Sequence, residues 1–475
     1  MFRRRLRRSP NNLESLSMKI SMRLPSLLII GASLFATLPV RAQLNDGKPD
    51  PNYVMPERLD LEYSLAFALD NNFTIRQAKE RIRQQEGVIL EVRAAEIPTI
   101  SADGLYQRDQ VAVGPTGENK YWAFGVTARQ ILYAGGGVQA SVRGQQVTLD
   151  AAVLALQAII DDVLLDVRTK FFTVLLSREK IRVQEQNVEL LERQLQDVKN
   201  RFEAGTVSNF EVLRAEVAVA NAQVPLITAR NDYRLAIETL RQVLGFVTVT
   251  EVNVTKIPEF LGTLAFPPAN FDLRTSLVAA REHRPELLRL HKLETAAEEG
   301  VLARRAGYYP TLSLFGSYDW RKRFGSNSLP GDQDGWTVGL SSSWNIFDGR
   351  ATAGRVMQAR SYLEQAKLAI GENQLAIDVE VRRSISTFQQ ATELAEASKK
   401  VVAQAEEAVR LANARYNAGT ATQLDVLTSQ VDLTTARLNQ LQAYFSYNVA
   451  VATARKAIGL TDELRPTKEL PYPAK

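Results

Sequence analysis

The sequence predicts a mainly α fold with a transmembrane β part, built from internally duplicated long α-helical hairpins and four short β-strands. Three observations carry this. The chain repeats itself with an offset of 212 to 214 residues. Each repeat holds an apolar pattern of period seven, the signature of long packed helices. All four tryptophans fall on alternating segments of about ten residues, the length of a membrane-spanning strand.

The N-terminus reads as a signal peptide over residues 1–42. Arg3, Arg4, Arg5, Arg7, Arg8, Lys19 and Arg23 form a basic region, Leu27 to Val40 is an apolar run, and Val40-Arg41-Ala42 offers small residues for cleavage. The run is shorter than the roughly 20 residues a spanning helix needs, which disfavours an uncleaved anchor. Met18 is an alternative start. These 42 residues carry eight of the 58 basic and one of the 53 acidic residues, leaving 50 against 52. The remainder is therefore nearly neutral, and no nucleic-acid partner is expected. No cysteine occurs, which excludes disulfides, thiolate metal sites and cysteine catalysis.

The repeat is legible in paired motifs. Arg201-Phe-Glu-Ala-Gly-Thr206 matches Arg415-Tyr-Asn-Ala-Gly-Thr420, Glu211-Val-Leu213 matches Asp425-Val-Leu427, and Tyr133-Ala-Gly135 matches Phe347-Asp-Gly349, all offset by 214. Asp60-Leu61 and Pro98-Thr99 recur as Asp272-Leu273 and Pro310-Thr311, offset by 212. The two extra residues lie between Pro310 and Gly339, where a surface loop absorbs them at least cost. A first repeat over 59–246 and a second over 271–460 follow. An N-terminal segment (43–58), an inter-repeat segment (247–270) and a tail (461–475) flank them. Val247-Thr-Val-Thr250 reads as a short strand.

Each repeat opens with a helical stretch, 60–95 or 272–307. Two strands follow, 99–107 and 121–132, then 311–320 and 336–346. A long helix comes next, over 136–203 and 350–416, and a return helix over 208–245 and 422–458. Val167, Val174, Ile181, Val188, Leu195 and Phe202 recur every seventh residue, with Leu191 and Val198 at the second seam position. About 68 residues give roughly 100 Å of helix. A basic last turn and a glycine end each long helix, placing hairpin tips at 203–211 and 417–425. Pro225 lies within the first return helix and predicts a kink there.

Alternate positions on the strands divide into two faces. Ile100, Ala102, Gly104 and Tyr106 share one face of the first. Trp122, Phe124, Val126 and Ala128 share one of the second. Leu312, Leu314, Gly316, Tyr318 and Trp320 share one of the third, and Trp336, Val338, Leu340, Trp344 and Ile346 one of the fourth. The opposite faces are polar. Tyr106, Trp122, Tyr318, Trp320, Trp336 and Trp344 are thus candidate membrane-interface aromatics against lipid. Four strands cannot close in lipid, because their edges would leave backbone groups unpaired. The barrel must be shared. Two copies supply eight strands and three supply twelve, and periodicity does not choose between them.

Enzyme signatures are missing. His283 and His291 are the two histidines, without further ligands at metal spacing. No Walker loop, nucleophile elbow or dinucleotide fingerprint occurs. Gly135-Gly136-Gly137 reads as a tight bend, and Arg321-Lys322-Arg323 as a solvated loop cluster. No catalytic, cofactor or metal residue is expected. A periplasmic coiled-coil adaptor and a structural envelope protein are the competing readings; the former expects one hairpin and an anchor, the latter no tryptophan-bearing strands.

From Leu59-Asp-Leu-Glu-Tyr-Ser-Leu65 through the Pro-Thr strand entries, Tyr133-Ala-Gly-Gly136 and both Ala-Gly-Thr tips, the order of motifs resembles the TolC family of outer-membrane factors. The resemblance spans about 58–460. It implies a homotrimer with a trimeric α-barrel, a shared 12-stranded β-barrel, and a mixed belt from the terminal and inter-repeat segments. It also implies a channel in the cell outer membrane extending into the periplasm, an exit duct for efflux or type I secretion. A periplasmic adaptor and an inner-membrane pump or ABC transporter would be its partners, and no cofactor is implied. Matched through Ala-Gly-Thr, Tyr416 stands at a gate tyrosine, Glu211 at its acidic partner and Asp425 in an acidic ring. The tip residues Ala204, Gly205, Thr206, Ala418, Gly419 and Thr420 stand where the adaptor docks. The family's gate arginine and second acid are replaced by Ala421 and Thr428, which implies a looser gate with one carboxylate ring. Helix capping is the competing reading of both acids. If Glu211 is a gate residue, Glu211→Ala raises single-channel conductance in a planar bilayer; an unchanged value removes that assignment.

Overall fold

A computed structural model describes residues 56–110, 118–246, 258–322 and 332–460. The expected signal peptide, most of the N-terminal segment, the 247–250 strand, residues 111–117 and 323–331 of the two loops, and the 461–475 tail lie outside them.

The chain begins with β1 (Arg58–Leu59), α1 (Leu61–Asn71) and α2 (Phe73–Arg93). Asn72 divides the helical stretch expected over 60–95. Its backbone is extended, and its side chain accepts hydrogen bonds from the amides of Thr74 (2.8 Å) and Ile75 (3.2 Å). That cap ends one helix and starts the next. Nδ2 of Asn72 also donates to the Val243 carbonyl at 2.6 Å, fixing the break against the end of the return helix.

β2 (Thr99–Gln110) and β3 (Glu118–Ala134) follow, then α3 (Gly137–Glu203) and α4 (Asn209–Leu244). α3 has 67 residues, about 100 Å at 1.5 Å per residue. α4 runs as one helix through Pro225. β4 (Glu259–Phe260) pairs with β1 in parallel, Arg58 opposite Glu259 and Leu59 opposite Phe260.

The second repeat has the same order: α5 (Leu273–His283), α6 (Pro285–Arg305), β5 (Thr311–Lys322), β6 (Asp332–Ser343), α7 (Ala351–Asn417) and α8 (Gln423–Ile458). Here too the expected helical stretch, 272–307, is divided in two. Pro285 lacks an amide hydrogen and holds Arg284 in an extended conformation. The buried Arg284 guanidinium bonds Glu286 (3.1 and 2.9 Å) and Glu380, tying the break to α7.

The four long strands form one antiparallel sheet in the order β2-β3-β5-β6. The register sets Tyr106 opposite Trp122, Phe124 opposite Trp320, and Tyr318 opposite Trp336. Every apolar face read from the strands therefore lands on the same side of the sheet. Between Ile131 and Tyr133 a bulge shifts the pairing by one and turns Tyr133 onto that side, opposite Leu312. On the other side, Asp103 and Asp319 flank Gly125. There Arg129 donates to Ser313 at 3.2 Å.

The fourth strand was expected over 336–346. It begins earlier and stops at Ser343, leaving Trp344 and Ile346 beyond it. Past Ser343 its partner has ended, because β5 starts at Thr311 after Pro310, and its other edge is open. Trp344 Nε1 instead donates to the Tyr308 carbonyl at 3.1 Å.

In the sheet-proximal half, α2, α3, α6 and α7 lie side by side; towards the tips the order becomes α4-α3-α8-α7. Val167, Val174, Val188, Leu191 and Val198 are buried as the heptads require, and Ile181 and Leu195 pack against them half-buried. The main core gathers Leu59, Tyr63 and Phe67 around Phe171, Val174, Leu240 and Phe260. The first-repeat helices, the inter-repeat segment and the N-terminal strand thus meet at one place. No helix among the described residues is long and apolar enough to cross a membrane.

Phe171 is 1% exposed at this junction, and its ring meets that of Phe260 edge-on at 6.0 Å. Phe171→Ala should lower unfolding free energy by about 3–5 kcal/mol in denaturant titration of the detergent-solubilised protein. A loss near that of a surface alanine would deny Phe171 its central place.

Candidate functional site at the hairpin tips

Each tip is built by backbone chemistry before any functional side chain is considered. α3 ends at Glu203, Ala204 keeps helical dihedrals, and Gly205 turns left-handed at φ 73°. The Gly205 amide donates to Phe202 O and the Thr206 amide to Arg201 O, both at 2.9 Å. This is the Schellman closure of a helix C-terminus. Thr206 Oγ1 adds a bond to the same Arg201 carbonyl at 2.9 Å. The second tip repeats it: Gly419 has φ 74°, and the bonds run from Gly419 to Tyr416 O (3.0 Å) and from Thr420 to Arg415 O (2.9 Å). Ala-Gly-Thr is thus the local solution for reversing the chain. Its alanines and glycines are exposed to solvent.

The two acids at the starts of the return helices occupy equivalent positions and behave differently. Asp425 belongs to a complete capping box. Its Oδ2 accepts from the amide and hydroxyl of Thr422, each at 2.8 Å, and Thr422 Oγ1 accepts from the Asp425 amide. The Thr422 amide, its hydroxyl and the more distant Arg415 hold this carboxyl below the usual aspartate value. Glu211 follows Ser208, whose side chain makes no cap bond. Glu211 Oε2 is shielded from solvent and has no hydrogen-bond partner in the protomer. So Asp425 serves the helix end, and Glu211 is the carboxylate left available.

Tyr416 sits half-buried, its hydroxyl likewise without a partner, and no hydrogen bond joins it to Glu211 within the protomer. Its ring is engaged from the other hairpin. The Arg201 guanidinium lies 4.9 Å from the ring centroid, and Arg201 donates to Asn417 Oδ1 at 3.0 Å. Sequence reasoning looked for an arginine at 421 and missed Arg201. The signal was there, because both tip motifs open on arginine, Arg201 and Arg415. Ala421 contributes no charge, and Thr428 returns its hydroxyl to the Leu424 carbonyl at 2.9 Å.

The candidate interface aromatics lie at the far end of the molecule. Trp336 is 76% exposed, Tyr106 and Trp344 are also exposed, and Trp320 lies 4.4 Å from the Tyr318 ring. Tyr133, Tyr308, Tyr309 and Phe347, exposed where strands meet helices, were not among the interface aromatics read from the sequence. Among the described residues no group of three His, Cys, Asp or Glu side chains is placed to hold a metal.

Comparison with known proteins agrees with this layout. The family described as "Outer membrane efflux protein" matches residues 65–246 and 277–460, both repeats. The chain is 25% identical to protein CyaE of Bordetella pertussis over 390 residues, 80% of each chain. It is 26% identical to outer membrane protein TolC of Escherichia coli over 312 residues, 63% of this chain and 62% of that one. In fold it is similar to the Campylobacter jejuni CmeC outer membrane channel, with a TM-score of 0.72 at 16% identity over 84% of this chain and 85% of the other. The outer-membrane channel OprN gives 0.71 at 18% identity, covering 87% and 96%.

The Asp425 cap carries a pH consequence. A depressed folded pKa stabilises the helix end fully above the unfolded aspartate value, about 3.9, and that contribution is lost as pH falls through the folded value. Protection of the first amides of α8, taken relative to their intrinsic exchange rates, should fall below that pH, and Asp425→Asn should show the lower protection already at neutral pH. Equal protection in both proteins at pH 7 would deny the cap this role.

Proposed function

We propose, from the premise that the chain belongs to the outer membrane efflux protein family, that its hairpin tips are the periplasmic gate of the channel. The protein is a passive duct in the outer membrane that extends into the periplasm and serves efflux or secretion; it is not an enzyme. Three copies close a 12-stranded barrel, and their long helices continue it as an α-barrel. Tyr416 and Glu211 narrow its far end, and Asp425 adds negative charge there. The exposed Ala-Gly-Thr turns, residues 204–206 and 418–420, receive a periplasmic adaptor, and an inner-membrane pump or ABC transporter supplies the energy.

The observation that carries this reading is the open sheet with one continuous apolar, aromatic-ended face above two 67-residue helices. Such a sheet is stable in lipid only when other copies pair its edges. Helices of about 100 Å reach far beyond any bilayer. The unpartnered Glu211 carboxylate and Tyr416 hydroxyl support the gate assignment, since polar atoms left unpaired in the protomer call for partners in the assembly.

Purified protein in a planar bilayer should give small, discrete, cation-preferring openings, and Glu211→Gln should weaken the cation preference more than Asp425→Asn. Absence of openings from folded, membrane-extracted protein, including a variant with both tips deleted, would sink the duct reading in favour of a structural envelope protein.

A further inference from the structure

Each of the two repeats stands for about half of one assembly step of the ring. Among the described residues of one protomer the first repeat meets the second most extensively at β3 against β5, α3 against α6 and α3 against α8, and the ends of α3 and α7 touch at the tips through Arg201. The elements left at the edges are β2 and β6, α2 and α7, α4 and α7. Advancing each internal contact by one repeat turns β3/β5 into β6/β2, α3/α6 into α7/α2, and α3/α8 into α7/α4. These are the open edges at every level. Ring closure as proposed above therefore reproduces, between subunits, the contacts already visible within one.

The tips can be advanced residue by residue, because their offset of 214 has no gap. Arg201, Tyr416 and Asn417 make the internal contact. Their counterparts are Arg415 for Arg201, Phe202 for Tyr416 and Glu203 for Asn417. All three are available. Phe202 is 44% exposed, although it continues a heptad seam that is buried or half-buried elsewhere along α3. Glu203 and Arg415 are exposed, and neither side chain makes a hydrogen bond or ion pair within the protomer; the Arg415 guanidinium acts on Asp425 only at a distance. The exchange of Asn417 for Glu203 also changes the chemistry. A neutral amide acceptor becomes a carboxylate facing a guanidinium, the stronger charge-assisted form of the same bond.

We propose that Arg415 is an inter-subunit gate latch, stacking over Phe202 of the partner subunit and pairing with Glu203 of the partner subunit. Three such links alternate around the closed tip ring with the three internal Arg201 contacts. The internal contact has a neutral acceptor and keeps the two hairpins of a protomer together. The contact between subunits is ionic and solvent-exposed, so salt weakens it. Opening therefore separates protomer from protomer before it separates hairpin from hairpin.

This inference rests on the trimeric ring, and its test separates the two. The chain has no cysteine, so introduced thiols are unique. Glu203→Cys and Arg415→Cys together, treated with a short bis-maleimide in the folded detergent-extracted oligomer, should give covalent dimers and trimers on a denaturing gel. Arg201→Cys with Asn417→Cys should cross-link within the chain and stay monomeric. Light scattering run alongside reports assembly. A trimer in which the 203/415 pair yields no covalent oligomer overturns the latch while leaving the ring intact; a monomer in the membrane extract overturns both. Function provides the second arm. Glu203→Arg should raise open probability about two- to fivefold, the range of an exposed ion pair, and adding Arg415→Glu should return it towards wild type. Strictly additive effects in this cycle would also overturn the pairing.

Discussion

The constraint on which the rest of the structure depends is the pairing of backbone groups at the edges of a four-stranded sheet. Among the described residues, β2 and β6 each present a strand-length row of amides and carbonyls with no strand partner. Water could satisfy them, but the outward face of the same sheet carries Ile100, Phe124, Leu314, Trp336, Val338 and Leu340, side chains placed for lipid. In that medium an open edge costs several kcal/mol for each unsatisfied group. Oligomerisation is therefore a condition of the sheet's existence in the membrane. The early end of β6 at Ser343 is the same condition seen in one protomer, since Trp344 to Ile346 have a strand available on neither side.

The helices inherit that arrangement. α3 follows β3 through a left-handed turn at Gly135-Gly136, and α7 follows β6 after residues 344–350, which end in a left-handed turn at Gly349-Arg350. At Gly135 a side chain would collide with the Ala306 carbonyl, so the passage from strand to helix is packed as tightly as the chain permits. Whatever sets the strand order also sets the helix order about 100 Å away. The belt between them is where the first-repeat helices, β1 and β4 join one core around Phe171 and Phe260. The geometry of the hairpin tips is in this sense dictated from the sheet downward.

At the tips, duplication has allowed equal positions to take unequal work. Both turns close by the same Schellman geometry, and both return helices carry an acid at the third position. Thr422 draws Asp425 into a capping box, whereas Ser208 leaves Glu211 without one. Arg201 reaches across to the neighbouring hairpin while Arg415 does not. A hydroxyl that caps and an amide that accepts separate a structural acid from an available one.

Much of this was legible in the residues alone, because its physical causes are local or periodic. The seven-residue recurrence from Val167 to Val198 located α3 and its hairpin, and Gly205 and Gly419 located the turns, since only a residue tolerating positive φ reverses the chain there. Two-residue alternation assigned the sheet faces, and pairing only confirmed that all four coincide. The breaks at Asn72 and Arg284 carry local signals, an asparagine cap and Pro285, but the contacts that fix them in place, to Val243 and Glu380, lie far along the chain and were missed. Arg201 was missed for the same reason. Its partners lie 215 and 216 residues away, and no local pattern distinguishes it from Arg415. Sequence by itself determined the repeated elements and the membrane-facing surface, which depend on spacing and hydropathy. Only the tertiary structure decided which of two equivalent arginines and acids is already engaged, because that depends on which neighbour the fold places within reach.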